Sequence, residues 1–337
     1  MRGRELLCEG YCCRRSRETA TEWQGVGHLL RVDEDAPEPP LLRPQLIAQG
    51  WSDGELRRRR RSGELVSLCR GAYLVAGDAR LSDDVATHAL LVESAGPLVA
   101  ADAVLSHVSA AVLHRLPIWN VPLDRVHRTR ARRTGARRTG STALHAAPLT
   151  AGEITEVDGR PVTTLARTLV DLARTLGFEE AVVLVDAALH RHLVSVEALD
   201  EALARAAGWP GCPNARRVVA FADRGAMSVG ESRSRVAMAR FGLPAPVLQW
   251  EVTSEVGRLG KVDFAWPEHR VVGEFDGQVK YGKYLRPGQD AGEAVFAEKQ
   301  REDRIRDEGL RVVRWVWAEL RLFAAVADRI RRAHAAR

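Results

Sequence analysis

The acids most able to do chemistry lie in the last third of the chain. Glu274 and Asp276, in VVGEFDG, are two residues apart and share one face if the segment is a strand. Asp263, in KVDFAW, lies on the other side of a turn at Pro267 and Glu268. Counting outward from that turn sets Asp263 within about one residue of facing Glu274 across an antiparallel pair. Glu231 comes from the preceding helical stretch, GESRSRVAMARFG. Four acids can therefore converge, and crowded carboxylates are costly unless a cation or a proton compensates them. A hard, oxygen-ligated ion such as Mg²⁺ or Mn²⁺ is the natural compensation. It would polarise a phosphate and lower the pKa of an attacking water. The competing reading is a sheet edge bearing surface charge.

A second constellation is the run Arg57, Arg58, Arg59, Arg60 and Arg61. Pro44 suits the first turn of a short helix that Gly50 stops. Ser52, with Glu55 three residues on, forms a capping box for the next helix, ELRRRRRSG, which closes at Gly63. GELVSLCRG and AYLV are two short β-rich segments around Arg70 and Gly71. Helix, turn, basic helix and hairpin make a winged helix-turn-helix over residues 41–78. Its second helix is the one that enters the major groove, which makes the arginines, with Arg70, candidate DNA contacts. A solvated helix face is the alternative.

These sites need scaffolds. Residues 1–40 end in DEDAPEPP without periodicity and read as a disordered leader. Residues 79–225 read as mostly helical, with DDVATHALLVESA, AVLSHVSAAVLHRL, VTTLARTLVDLARTLG and EEAVVLVDAALHRHL apolar at helical spacing. Thr164 with Arg167, and Asp171 with Arg174, are positions for capping or pairing, and His107, His114, His190 and His192 read as satisfied or exposed histidines. Within this region, 124–140 holds seven arginines and a tandem ARRTG, the pattern of a loop or arm. It is either a basic arm on phosphate or a loop expansion without a role. Residues 226–337 run α-β-β-β-α-β-α, a mixed sheet with helices packed on it, and Trp315 and Trp317 read as packing residues. The fold expected is thus mixed α+β.

Composition bounds the function. Net charge is +6 over 337 residues, with 45% hydrophobic and 28% charged residues, so the chain buries real cores and suits a nucleic-acid partner. Five cysteines, three of them crowded at Cys8, Cys12 and Cys13, lack the paired spacing of a zinc site. No apolar stretch reaches the length of a membrane span and no secretory leader is visible, so a cytoplasmic protein with no membrane partner is expected.

Residues 228–335 resemble the domain of unknown function related to the very-short-patch repair endonuclease, within the PD-(D/E)xK nuclease superfamily. The likeness is carried by Glu231, Val262-Asp263, Glu274-Phe275-Asp276-Gly277, Lys299 to Asp303, and Val312 to Trp315. It implies a restriction-endonuclease-like fold, with Asp263 and Glu274 as metal ligands and Glu231 as the helical acid. The lysine that the superfamily places two residues after the strand acid is Asp276 here. Lys280 stands where many relatives have histidine after the Asp-Gly pair, and Lys299 is a lysine on the following helix. Residues 41–75, and more loosely 80–225, are similar to the AbiEi-type antitoxins of type IV toxin–antitoxin systems. That likeness rests on SGELVSLCRGAYLV, SHVSAAVLHRL and VTTLARTLVDLAR. It implies autoregulatory DNA binding and a cognate toxin as partner.

Two functions follow as expectations. One is an antitoxin-like regulator whose nuclease-fold domain hydrolyses DNA with Mg²⁺ or Mn²⁺, Lys280 orienting the water or steadying the transition-state charge. The other is a non-catalytic regulator acting by DNA binding and contact with a toxin protein. Metal dependence separates them.

Overall fold

In a computed structural model, the structure describes residues 39–95, 102–132, 134–255, 257–277 and 291–336, with the backbone alone for 291–295, 297 and 298. The expectations for residues 1–38, for Cys8, Cys12 and Cys13, and for Lys280 lie outside them. The architecture is mixed α+β, as expected, and residues from Pro40 onward form one compact unit.

The first layer is small. Strand β1 (Leu41–Leu42) leads into α1 (Arg43–Ala48), whose Pro44 occupies the first turn. Gly50, at φ +93°, ends that turn of chain, a conformation glycine adopts freely. Ser52 caps α2 (Asp53–Arg61) by accepting a 3.1 Å hydrogen bond from the Glu55 amide. Strands β2 (Leu65–Cys69) and β3 (Ala72–Val75) form an antiparallel hairpin, and β1 completes a sheet of order β1-β3-β2. Leu46, Leu56, Leu65 and Tyr73 bury a core beneath it.

The middle region departs from the helical expectation. After α3 (Asp84–Ser94) it builds a six-stranded mixed sheet interrupted by α4 (His107–Leu113). Its strands are β4 (Ala103–Leu105), β5 (Val126–Ala131), β6 (Arg137–Arg138), β7 (Thr142–Ala147), β8 (Ile154–Val157) and β9 (Arg160–Thr163). Their order is β6-β7-β5-β4-β9-β8. The arginine-rich stretch expected to be an unpacked loop is in part β5, paired with β7 on one side and β4 on the other. Val126, Arg128 and Thr129 are buried there. Pairing with β7 along the strand and with β4 over Arg128 to Arg130, with the His127 amide donating to Ser109 Oγ at 2.8 Å, engages its backbone and outweighs the polarity of its side chains. From Ala131 on the described residues of the segment are exposed, with Gly135 at φ +98° ahead of the edge strand β6.

The helical character expected holds from Leu165 on. Helices α5 (Leu165–Thr175), α6 (Phe178–His190), α7 (Val196–Arg205) and α8 (Cys212–Phe221) bury a core of Leu169, Val182, Leu184, Leu199 and Val218. Packing continues across the boundary near residue 225. Arg233 and Arg235 of α9 (Val229–Arg240) form ion pairs of 2.8 Å with Glu179 and Asp186 of α6.

The C-terminal order is α-β-β-β-α-β-α, matching the sequence pattern. After α9 come β10 (Val247–Ser254), β11 (Gly257–Trp266), β12 (Val271–Asp276), α10 (Ala291–Asp307), β13 (Arg311–Val316) and α11 (Ala324–Ala335). The sheet order is β10-β11-β12-β13, with β12 and β13 parallel and the other pairs antiparallel. Phe264, Trp266, Val313 and Trp315 join Val326 and Ile330 of α11 in one core. Trp315 is a packing residue as expected, fully buried, its indole N–H donating to Ser234 Oγ at 2.8 Å.

Candidate nucleic-acid interface

Helix α2 ends in its arginines, at the C-terminus where the helix dipole favours positive charge. Arg57, Arg58, Arg60 and Arg61 are exposed, while Arg59 is not. Its guanidinium lies 4.5 Å over the Trp51 ring and within 3.3 Å of Glu55 and of Glu64. One member of the run is therefore a structural staple and four face solvent. Arg70 is exposed at the hairpin turn. A groove of ≈ 390 Å³ between α2 and the hairpin is lined by Arg43, Arg57, Arg60, Arg70 and Tyr73. A second, of ≈ 380 Å³, runs beside Arg57, Arg60, Arg61 and Ser67. A bidentate pair from Arg43 to Asp53, at 2.9 and 2.7 Å, ties α1 to the start of α2. The Arg43 guanidinium holds the Asp53 carboxyl below the usual carboxylate range. The relative setting of the two helices is thereby fixed, and Arg57, Arg60 and Arg61 line adjoining grooves.

The acids of the C-terminal sheet are placed close to expectation, yet they do not gather into one cluster. Phe264 pairs with Gly273, so Asp263 stands one step further on, opposite Glu274. Asp263 Oδ2 accepts a 2.8 Å bond from the Phe275 amide. Glu274 is buried, and its two oxygens are held by Arg301 of α10 and by Arg314 of β13, the latter at 2.6 Å. Arg314 also reaches Glu302 at 3.0 Å. Glu231 is buried in a different arrangement. It accepts from Ser228 Oγ at 2.8 Å, the Met227 amide at 2.9 Å and Gln249 Nε2 at 3.0 Å. Asp276 is half-exposed at the end of β12.

Both oxygens of Glu274 face guanidinium groups, so a hard cation at that carboxylate would have to displace Arg301 or Arg314.

The group that sequence reasoning missed lies in the middle sheet. His107, at the start of α4, His127 of β5 and His145 of β7 bring one ligand nitrogen each within 4.8 Å of the others. Among the described residues this is the one set of three potential ligands so close together. Histidines 20 and 18 positions apart in three different elements offer no spacing signal. Burial holds His127 and His145 down at about 4 and His107 well below the usual imidazole range, so all three rings are neutral near pH 7. Of the other histidines read from the sequence as satisfied or exposed, His114 Nε2 bonds the Thr163 carbonyl at 2.9 Å, His190 Nδ1 bonds the Arg224 carbonyl at 3.0 Å and His192 is exposed. Arg167 and Arg174 both pair with Asp171, at 2.8 and 2.9 Å, a structural role also in line with expectation.

No model of a known protein family matches the chain. Two curated proteins of Mycobacterium tuberculosis are similar to part of it. They are Uncharacterized protein MT2308 of strain CDC 1551 / Oshkosh and Uncharacterized protein Rv2248 of strain H37Rv, each 37% identical over 123 residues. The match takes in 36% of this chain and 45% of each relative, less than half their length. Among solved structures, the crystal structure of the RV2827C protein from Mycobacterium tuberculosis aligns at a TM-score of 0.36 and 17% identity, covering 64% of this chain and 84% of that one.

Proposed function

We propose that the chain is a DNA-binding regulator that reads duplex DNA through α2 as a recognition helix and the β2–β3 hairpin as a wing. One observation carries this reading: Arg57, Arg60 and Arg61 of α2 and Arg70 of the hairpin are exposed and line two grooves that share Arg57 and Arg60. A helix of this width fits the major groove, and guanidinium groups supply both phosphate contacts and bidentate contacts to guanine. The exposed Arg132, Arg137 and Arg138 of the tandem repeat add charge suited to the backbone.

In this reading the C-terminal sheet is a binding module and not a nuclease. Glu274 neutralised by Arg301 and Arg314 favours that choice over metal-assisted hydrolysis. The test is incubation of the purified full chain with duplex and plasmid DNA, in chelator and in Mg²⁺ or Mn²⁺. Undiminished binding in chelator with plasmid left intact in both ions is the expected result. Ion-dependent cutting of the plasmid would establish the enzyme instead.

A further inference from the structure

We propose that His107, His127 and His145 form a three-imidazole site for a divalent transition ion, Zn²⁺ above all. His145 Nε2 and His127 Nδ1 are 3.1 Å apart, and the His107 and His145 rings stack with centroids 3.7 Å apart. Around a tetrahedral zinc with Zn–N of about 2.0–2.1 Å, ligand nitrogens stand roughly 3.3 Å from one another. The histidine pair is thus within a few tenths of an ångström of ligand spacing before any ion enters.

The surroundings are organised for ligation. His107 Nδ1 is 3.0 Å from Ser106 Oγ, which in turn accepts from Thr129 Oγ1 at 2.8 Å. A hydrogen bond at one ring nitrogen fixes the ring and leaves the other, here Nε2, for a metal. His107 itself has φ +50°, a left-handed conformation uncommon for a side-chain-bearing residue. The facing nitrogens of His127 and His145 share one proton, so both turn to an ion after a change of tautomer at that contact. Of the arginines whose charge reaches the site, Arg167 pairs with Glu153 and Asp171 and Arg174 with Asp171, while Arg138 is exposed to solvent.

The ligand set decides the ion. Imidazole alone suits Zn²⁺, Co²⁺, Ni²⁺ or Cu²⁺ and gives Mg²⁺ and Ca²⁺ none of the oxygen they require. Three protein ligands leave the fourth position of a tetrahedral ion to water or an exogenous anion.

The test uses the full chain, free of any tag and stripped with chelator. Co²⁺ titration should give the visible absorption of a four-coordinate ion at one equivalent, without a thiolate charge-transfer band. Zn²⁺ should displace it and raise Tm. His127→Gln and His145→Gln should each weaken Co²⁺ binding at least about tenfold, and Ser106→Ala about tenfold through the lost hydrogen bond to His107 Nδ1. The variant carrying Cys8→Ser, Cys12→Ser and Cys13→Ser should bind as the parent does. Should a histidine variant fail to fold, X-ray absorption of the zinc-loaded parent counts the imidazoles directly, and three are expected. No cobalt band and no Tm rise in the folded parent would overturn the proposal. So would a thiolate band lost in the cysteine variant, or affinity unchanged in both folded histidine variants.

Discussion

Glu274 and Arg314 stand in register on the parallel strands β12 and β13, with carboxylate and guanidinium 2.6 Å apart. A second arginine, Arg301, closes on the same carboxylate from the helix above. The neighbouring strand therefore carries the counter-charge for an acid that would otherwise call for a metal. Removing the acid takes away the carboxylate that Arg301 and Arg314 share, leaving Arg314 with Glu302, and losing a partly buried pair is costly. Glu274→Gln should accordingly lose about 1–2 kcal/mol, given the partial exposure of both arginines. Thermal melting in chelator measures it. A variant that melts at or above the parent would mean that the carboxylate is repelled by its neighbours and belongs to a metal site.

Arg59 separates structure from recognition within a single run of arginines. Its contacts are with Trp51, Glu55 and Glu64, so Arg59→Ala should cost about 1 kcal/mol of stability through lost packing and partial ion pairs. DNA affinity per folded molecule should stay within about twofold. Urea unfolding beside anisotropy with labelled duplex tests both halves, and a large fall in affinity at unchanged stability would contradict them.

Gly230 is pressed against the Phe275 ring, which would overlap any β-carbon added there. Gly230→Ala should force α9 away from β12 and cost about 1–3 kcal/mol, as overpacking does. The Phe275–Trp317 edge contact, with centroids at 5.1 Å, makes tryptophan fluorescence the sensitive reporter. An unperturbed spectrum with parental stability would show that the packing has slack.

Acid should weaken the middle domain before it touches the ordinary carboxylates. Burial lowers His88 below its usual value, its ring bonded to the Leu123 carbonyl at 2.8 Å and Ser109 Oγ at 2.9 Å. His127 and His145 are held down at about 4. The unfolded chain, with histidines near 6.5, binds more protons than the folded one between those values, so stability rises with pH there. Chemical unfolding in chelator should lose stability progressively from pH 6.5 toward pH 4, by a few kcal/mol in sum. A flat profile across that window would mean the rings are charged in the folded state.

Legibility in the sequence followed how locally each feature is encoded. Ser52, Gly50, Gly63 and the Arg70-Gly71 turn mark their elements within a few residues, and the first layer follows them closely. The turn after Trp266 set Asp263 opposite Glu274 by counting alone. What escaped was long-range. Arg301 and Arg314 reach Glu274 from elements 27 and 40 residues further on, so the acids looked uncompensated. Strand β5, VHRTRA, carries polar residues on both faces because it is buried among other polar groups, which erases the alternation that marks a half-buried strand. The same sheet assembles His107, His127 and His145, so missing the sheet meant missing the cluster.

The salt dependence of duplex binding tests the central claim most directly. Each phosphate contact made by an arginine releases counterions and contributes roughly 0.9 to the slope of log affinity against log salt. Measured by anisotropy from low to physiological salt, Arg57→Ala, Arg60→Ala and Arg61→Ala in one chain should flatten the parent slope by about two to three units. Affinity at physiological salt should fall with it, while the melting temperature of these exposed positions stays close to that of the parent. Parent-like slope and affinity in the folded triple variant would contradict the account, leaving the arginines of α2 as a solvated helix face.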